Sequence, residues 1–362
     1  MDIFKDKRVV LTLDAGGTNF VFGAIKGGKE IVNPLTLPSN ANNLDRCLAS
    51  IIDGFDTIKI KLSETPVAIS FAFPGPADYN KGIIGDLANL PSFRGGIALA
   101  QMLQEKFDIP VFIQNDGDLY AYGEAIGGVL PDINAKLKLS GSQKEYKNLI
   151  GLTLGTGFGA GIVHNGILIS GDNSIPTEIW NIANSISPWQ NAEDGVSTRA
   201  IVNSYFEKAG LPKEDLMPRD IYLIAMGEKD GNAEAAKESF YQFGLHLGDA
   251  IATMIMLFDG IVVIGGGLTG AKELYMPAAM EVLKGTFKNN QKRLLHNVFS
   301  LDDETGEHLF YKTNERTIKV PFSETTVVYD PVPKTAVATT KIGASNAIAL
   351  GAYAYALSQL NN

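Results

Sequence analysis

The sequence is poor in the residues that build covalent and metal cross-links. Cys47 is the only cysteine in 362 residues, which excludes an internal disulfide and any thiolate-rich metal site. The four histidines, His164, His246, His296 and His308, are scattered without ligand spacing. Positive charge is scarce too: 31 Lys+Arg against 40 Asp+Glu leave a formal net charge of −9 with no basic cluster, so nucleic acid is not expected as a partner. Long apolar runs are missing. The N-terminal MDIFKDKRVVLTLD has no signal-peptide core, and AIATMIMLFDGIVVIGGG is broken by Asp259, so no membrane partner is expected and a reducing cytoplasm fits. What remains, 45% hydrophobic and 20% charged, describes a globular chain long enough for two cores.

The pattern along the chain repeats itself. RVVLTLDAGGTNFVFGAIKGGKEIVNPL reads as three short strands parted by the turns AGGTN and KGGKE. A helix over about 42–62, the strand PVAISFAF, the helical RGGIALAQMLQEKF and the strand IPVFIQ follow, giving β-β-β-α-β-α-β. NLIGLTLGTGFGAGIVHNGILISG, residues 148–171, repeats the opening order of strand, Gly-rich turn, strand, tight turn and strand, which predicts a domain-scale duplication and a cleft between two similar lobes. A third Gly-rich turn, IVVIGGGLTGA, follows a long helical stretch, and KIGASNAIALGAYAYALSQL reads as a small-residue helix. The polar stretches 132–148 and 301–334 read as insertions, the second with strands of its own.

Glycine at the end of a strand lets backbone N–H groups converge on a phosphate, although any one such turn is also an ordinary hairpin. Gly265-Gly267-Gly270 meets the dinucleotide pattern G-x-G-x-x-G, but the sequence offers no clear βαβ continuation or acid about twenty residues on. Asp14 precedes the first turn where the duplicate has Gly155, and a carboxylate there suits Mg²⁺ held directly or through water, or else a turn that bonds its own backbone. In VFIQNDGDLYAYGEA, residues 111–125, Asp116 stands where a strand gives way to a helix, the usual place of an N-cap.

Taken together, LTLDAGGTNFVFGAI, SFAFPGPAD, LANLPSFRGG, IQNDGDLYAYGEA, LTLGTGFGAGIV and VVIGGGLTGA resemble, in order and spacing, the ROK family of bacterial sugar kinases and sugar-responsive repressors. The resemblance implies an α/β fold of two ribonuclease-H-like, actin/hexokinase-type lobes with an interlobe cleft. It implies residues 1–116 as the N-terminal lobe, rejoined by a C-terminal helix 346–362, and 117–345 as the larger lobe. It implies ATP and Mg²⁺, with Asp14, Gly16, Gly17 and Thr18 as the first phosphate loop, Gly155, Thr156 and Gly157 as the second, and Gly265, Gly266 and Gly267 against the adenosine. Asn89, Asn115, Asp116 and Glu178 match sugar-binding positions and Asp116 the catalytic base, while Asp118 reads as helix N-terminal charge. Homodimers are common in such families.

The chain departs from the family in one region. Where the family has Glu-x-Gly-His, a cysteine-rich zinc loop and another Glu, this chain reads TEIWNIANSISPWQNAEDGVSTRAI: Glu178 is kept, Trp180 and Asn181 replace Gly and His, and Thr198 aligns with the second Glu. No zinc site is expected, and Trp180 reads as a packing residue. The expected reaction is phosphorylation of a hexose or N-acetylhexosamine, most readily at a primary hydroxyl. A sugar-sensing regulator is the first alternative, set against thirteen residues before Asp14, where such regulators carry a helix-turn-helix domain. A sugar-binding protein without kinase activity and an NAD-dependent oxidoreductase complete the alternatives.

Overall fold

The computed structural model describes residues 2–175 and 177–361. The chain divides into two compact units, one formed by the chain up to Gly128, the stretch from Gly161 to Thr177 and the chain from Ile342, the other by Val129–Ala160 and Glu178–Lys341.

The first unit opens with β1 (Val10–Ala15), β2 (Asn19–Lys26), β3 (Lys29–Glu30) and β4 (Leu35–Pro38), followed by α1 (Leu44–Lys61) and β5 (Ala68–Ala72). The short strands β6 (Ala77–Asp78), β7 (Ile83–Ile84) and β8 (Ile97–Ala98) pair among themselves, and α2 (Leu99–Phe107), β9 (Val111–Gln114) and α3 (Asp116–Gly127) complete the run. The main sheet has the order β3-β2-β1-β5-β9, with β4 on β2. β2 runs antiparallel to β1, whereas β5 and β9 run parallel to it. Alternation along β1 and β2 sends Leu11, Leu13, Phe20 and Phe22 into one core, where α1 delivers Cys47, Ile51, Phe55 and Ile58 at helical spacing. Phe22 and Phe55 meet edge to face, 5.2 Å between centroids. Burial pushes the Cys47 thiol up to about 11, so it is an inert core atom.

The second unit starts with α4 (Val129–Leu139) and β10 (Leu149–Leu154); of β11 (Phe158–His164) and β12 (Ile167–Leu168), which follow in the chain, the residues from Gly161 on are counted with the first unit. Next come α5 (Ala192–Gly195), α6 (Thr198–Ala209), α7 (Pro218–Ala225), α8 (Ala233–Phe258), β13 (Ile261–Gly265) and α9 (Lys272–Lys284). After them lie β14 (Asn297–Ser300), α10 (Glu304–Tyr311), the hairpin of β15 (Arg316–Lys319) and β16 (Thr326–Tyr329), and β17 (Lys334–Thr339); α11 (Ala344–Gln359) comes last in the chain and belongs to the first unit. The order β12-β11-β10-β13-β17-β14 repeats the strand sequence of the first sheet and adds one strand, with β13, β17 and β14 parallel to β10.

Three sequence expectations change here. The first unit does not end at Asp116, because α3 packs along α11 through glycines: a Cβ at Gly123 would stand 1.9 Å from the Ala347 carbonyl, and one at Gly351 1.9 Å from that of Leu119. The turn at Gly265 does lead into a helix and further parallel strands, α9, β14 and β17. The stretches 132–148 and 301–334 contain α4 residues and α10 as well as the hairpin. Among the described residues no helix is long and apolar enough to cross a membrane.

Candidate active site

Strand register gathers the first group of residues. Asp14 pairs with Ala72, and Ala72 with Gln114, so β1, β5 and β9 end nearly level, with Asp14 one residue before the end of β1 and Asn115-Asp116 following β9. Two strand spacings put those ends about 10 Å apart. The turn after Asp14 is tight: Gly16 N–H donates to the Asn19 carbonyl at 3.0 Å, and a Cβ at Gly16 would stand 2.8 Å from that oxygen. Ser39 fastens it, its hydroxyl donating to Gly17 O at 2.6 Å and its N–H to Thr18 O at 2.9 Å. Asn89 comes alongside, its carbonyl 3.7 Å from where a Gly17 Cβ would be. Asp14 lines a cavity of about 250 Å³ with Thr12, Ser345 and Asn346.

The helix cap is Asn115, not Asp116. Its side-chain carbonyl accepts from Gly117 N–H at 2.8 Å, and its amide donates to the Tyr79 hydroxyl at 3.4 Å, which in turn donates to Phe73 O. Asp116 occupies the first helical position and also accepts from Gly117 N–H, at 2.8 Å. It reaches solvent, yet protein packed around its other sides raises its carboxyl pKa; burial contributes most, that backbone N–H opposes the rise, and the negative charge of Asp14 adds to it. Asp118 is a buried tie, accepting from the Thr177 hydroxyl at 3.0 Å, rather than a solvated charge at the helix start.

The second group lies in the second unit. Gly155 N–H donates to Gly157 O at 3.1 Å, closing the turn that holds Thr156, and Thr198 N–H at the start of α6 donates to Gly155 O at 2.9 Å. The carboxylate against this turn belongs to Glu193, which accepts from Phe158 N–H at 3.1 Å and would stand 2.8 Å from a Gly157 Cβ. Thr198, aligned with the family's second Glu, serves the turn through its backbone alone. Glu193 stands where the zinc-loop motif is lost, so counting across that loop misses it; the signal available was its place just after the helix cap Asn191. Beyond β13, Gly266 adopts φ 95°, and a Cβ there would lie 2.3 Å from Leu154 O; Gly267 faces open space. Thr153 pairs with Gly265, so the two Gly-rich turns sit on neighbouring strand ends.

Glu178 begins a short 3₁₀ turn over Ile179–Asn181, and the Trp180 indole N–H donates to its carboxylate. Trp180 is 37% exposed, which corrects its reading as a packing residue. The following loop is closed by polar side chains. Asn184 accepts from Ile186 N–H, Ser187 N–H and His246 Nδ1, and donates to Asn191 O. Asp249 accepts from Ser185 and Arg293. Burial lowers the His246 pKa and keeps the ring neutral. Among the described residues no three His, Cys, Asp or Glu side chains are grouped to hold a metal ion.

The sequence model of the ROK family matches residues 10–304. The chain belongs to the ROK family. The crystal structure of the glucokinase of Parabacteroides distasonis superposes with a TM-score of 0.91 at 48% identity, with 99% of each chain covered. The glucokinase of Thermotoga maritima is 24% identical over 74% of this chain and 84% of its own length, and the N-acetyl-D-glucosamine kinase of Aliivibrio fischeri 27% over 72% and 85%. The ROK hexokinase of Thermus thermophilus, at 19% identity and a TM-score of 0.68, shares the fold over 98% of this ROK chain.

Proposed function

We propose that this chain transfers the γ-phosphoryl group of ATP to a hydroxyl of a hexose or N-acetylhexosamine, with Asp116 as the base. The chain is an ATP-dependent sugar kinase by its relatives, which are named glucokinases and N-acetylglucosamine kinases. Each sheet is read as one actin-like lobe. The observation that carries the assignment of the base is Asp116 itself: it reaches solvent at a strand end level with Asp14, while its neighbour Asn115 does the capping.

The residues fit the groups the reaction needs. Gly16 leaves no room for a Cβ against the Asn19 carbonyl, and a Cβ at Gly157 would displace the Glu193 carboxylate, so the two turns present bare backbone to phosphate oxygens. Asp14 has an exposed carboxylate, an oxygen donor suited to a hydrated Mg²⁺. When bound, Mg²⁺ neutralises charge on the phosphoryl oxygens. Asn89 lies beside the first turn and offers its amide to a sugar hydroxyl; Asn115 has one amide hydrogen left after its bond to Tyr79. Ionised Asp116 takes the proton of the attacking hydroxyl as its oxygen bonds to phosphorus and ADP departs. Glu178 accepts from sugar hydroxyls in this reading, and Gly265, Gly266 and Gly267 adjoin the adenosine. The test is ADP release across a panel of hexoses and N-acetylhexosamines with Mg·ATP. Sugar binding without ADP release would replace this reading with a sugar-binding one.

A further inference from the structure

Both tryptophans of the chain stand in the segment that departs from the family pattern. Trp189 is fully exposed at φ 75°, whereas Trp180 is anchored. Its neighbour Ile179 is buried, Ile182 N–H donates to Ile179 O at 3.1 Å, and Ala192 N–H donates to Ile182 O at 2.9 Å. That chain of contacts ties the Trp180 turn to α5, whose Glu193 holds the second Gly-rich turn. An indole has one N–H and no acceptor, and Trp180 gives its N–H to Glu178 Oε2. The bond goes to a carboxylate, so it is charge-assisted and directional. It occupies one oxygen, while Oε1 makes no hydrogen bond among the described residues.

We propose that Trp180 is a positioning residue for the sugar, its indole N–H turning the Glu178 carboxylate so that Oε1 faces a substrate hydroxyl while its exposed ring walls the same side of the pyranose. The inference rests on the reading of this chain as a sugar kinase with Glu178 at the sugar. Side chains that place an aromatic C–H surface next to a fixed carboxylate suit a pyranose, which has an apolar ring face edged by hydroxyls. A glycine at this place would leave the carboxylate free to rotate. Discrimination among hexoses would then depend on the angle at which Oε1 is held, and not only on the carboxylate being present.

Trp189 is fully exposed, so Trp189→Phe removes no buried contact, leaves Trp180 as the sole tryptophan and supplies a binding signal independent of turnover. Titrating this protein with the hexose that gives the fastest ADP release should shift the emission of Trp180 and saturate. In the same background, Trp180→Phe, which keeps an aromatic ring and loses the N–H, should raise the sugar KM about tenfold and leave kcat and the ATP KM within about twofold. Trp180→His, which keeps a ring N–H, should recover part of the loss. Combined with Glu178→Ala, which removes the acceptor, Trp180→Phe should add no further loss. An unchanged sugar KM in Trp180→Phe, or losses that multiply independently with Glu178→Ala, would overturn the proposal while leaving the kinase reading intact. No ADP release by the wild-type chain with any sugar would instead overturn the kinase reading itself.

Discussion

Asp116 is held against its own charge. Burial and the nearby Asp14 both favour the protonated carboxyl, yet a base must be ionised. The folded pKa therefore lies above the ordinary value of 3.8, so this group contributes stability below about 3.8 that is lost as pH rises through the folded value. Asp116→Asn should melt higher than wild type at pH 7, with the difference vanishing below about pH 3.8, and its kcat should fall about a hundredfold or more. Calorimetric sugar and ATP binding should persist. Near wild-type turnover in a folded variant would exclude Asp116 as the base. The residue was legible in the sequence because a polar pair breaks the strand IPVFIQ where a parallel sheet ends. What was not legible was the division of labour within the pair, since Asn and Asp cap equally well and only geometry assigns the cap to Asn115.

Gly-rich turns are the elements the sequence marks most openly, and the structure separates their glycines by need. Gly266 combines φ 95° with a backbone oxygen 2.3 Å from any added Cβ, so Gly266→Ala should destabilise the fold by about 2–3 kcal/mol in urea titration. Gly267 meets nothing within 4 Å, so Gly267→Ala should fold as wild type and raise only the ATP KM. Equal melting of the two variants would refute this distinction. The clasp around Asn184 was not legible, because its partner His246 comes from α8 and no local pattern announces a contact 62 residues away. Asn184→Ala removes a buried acceptor of three hydrogen bonds and should lower stability by about 1–3 kcal/mol. Chelators should abolish activity by removing Mg²⁺ and leave the melting temperature unchanged; a melting temperature lowered by chelation would overturn this expectation.

On the scale of the whole molecule, the repeated strand order was readable from the matching runs LTLDAGG and LTLGTGF, because period-two burial and glycine turns are local signals. The placing of α3 in the first unit was not, because it depends on α3 meeting α11 across more than 200 residues. That seam is closed by backbone against backbone, so Gly351→Ala should destabilise the chain by about 3 kcal/mol, with no compensating rotamer available. A variant that unfolds at the wild-type urea midpoint would show that the seam yields.

The position of α11 also orders the birth of the molecule. A ribosome adding about 5–20 residues/s exposes β1 to α3 early, but α3 then waits for a partner helix that starts only at Ala344. The second unit's principal segment, Glu178–Lys341, is complete before that helix emerges. Until α11 emerges, the nascent chain holds an unpaired glycine-lined helix face, the kind of surface that chaperones cover.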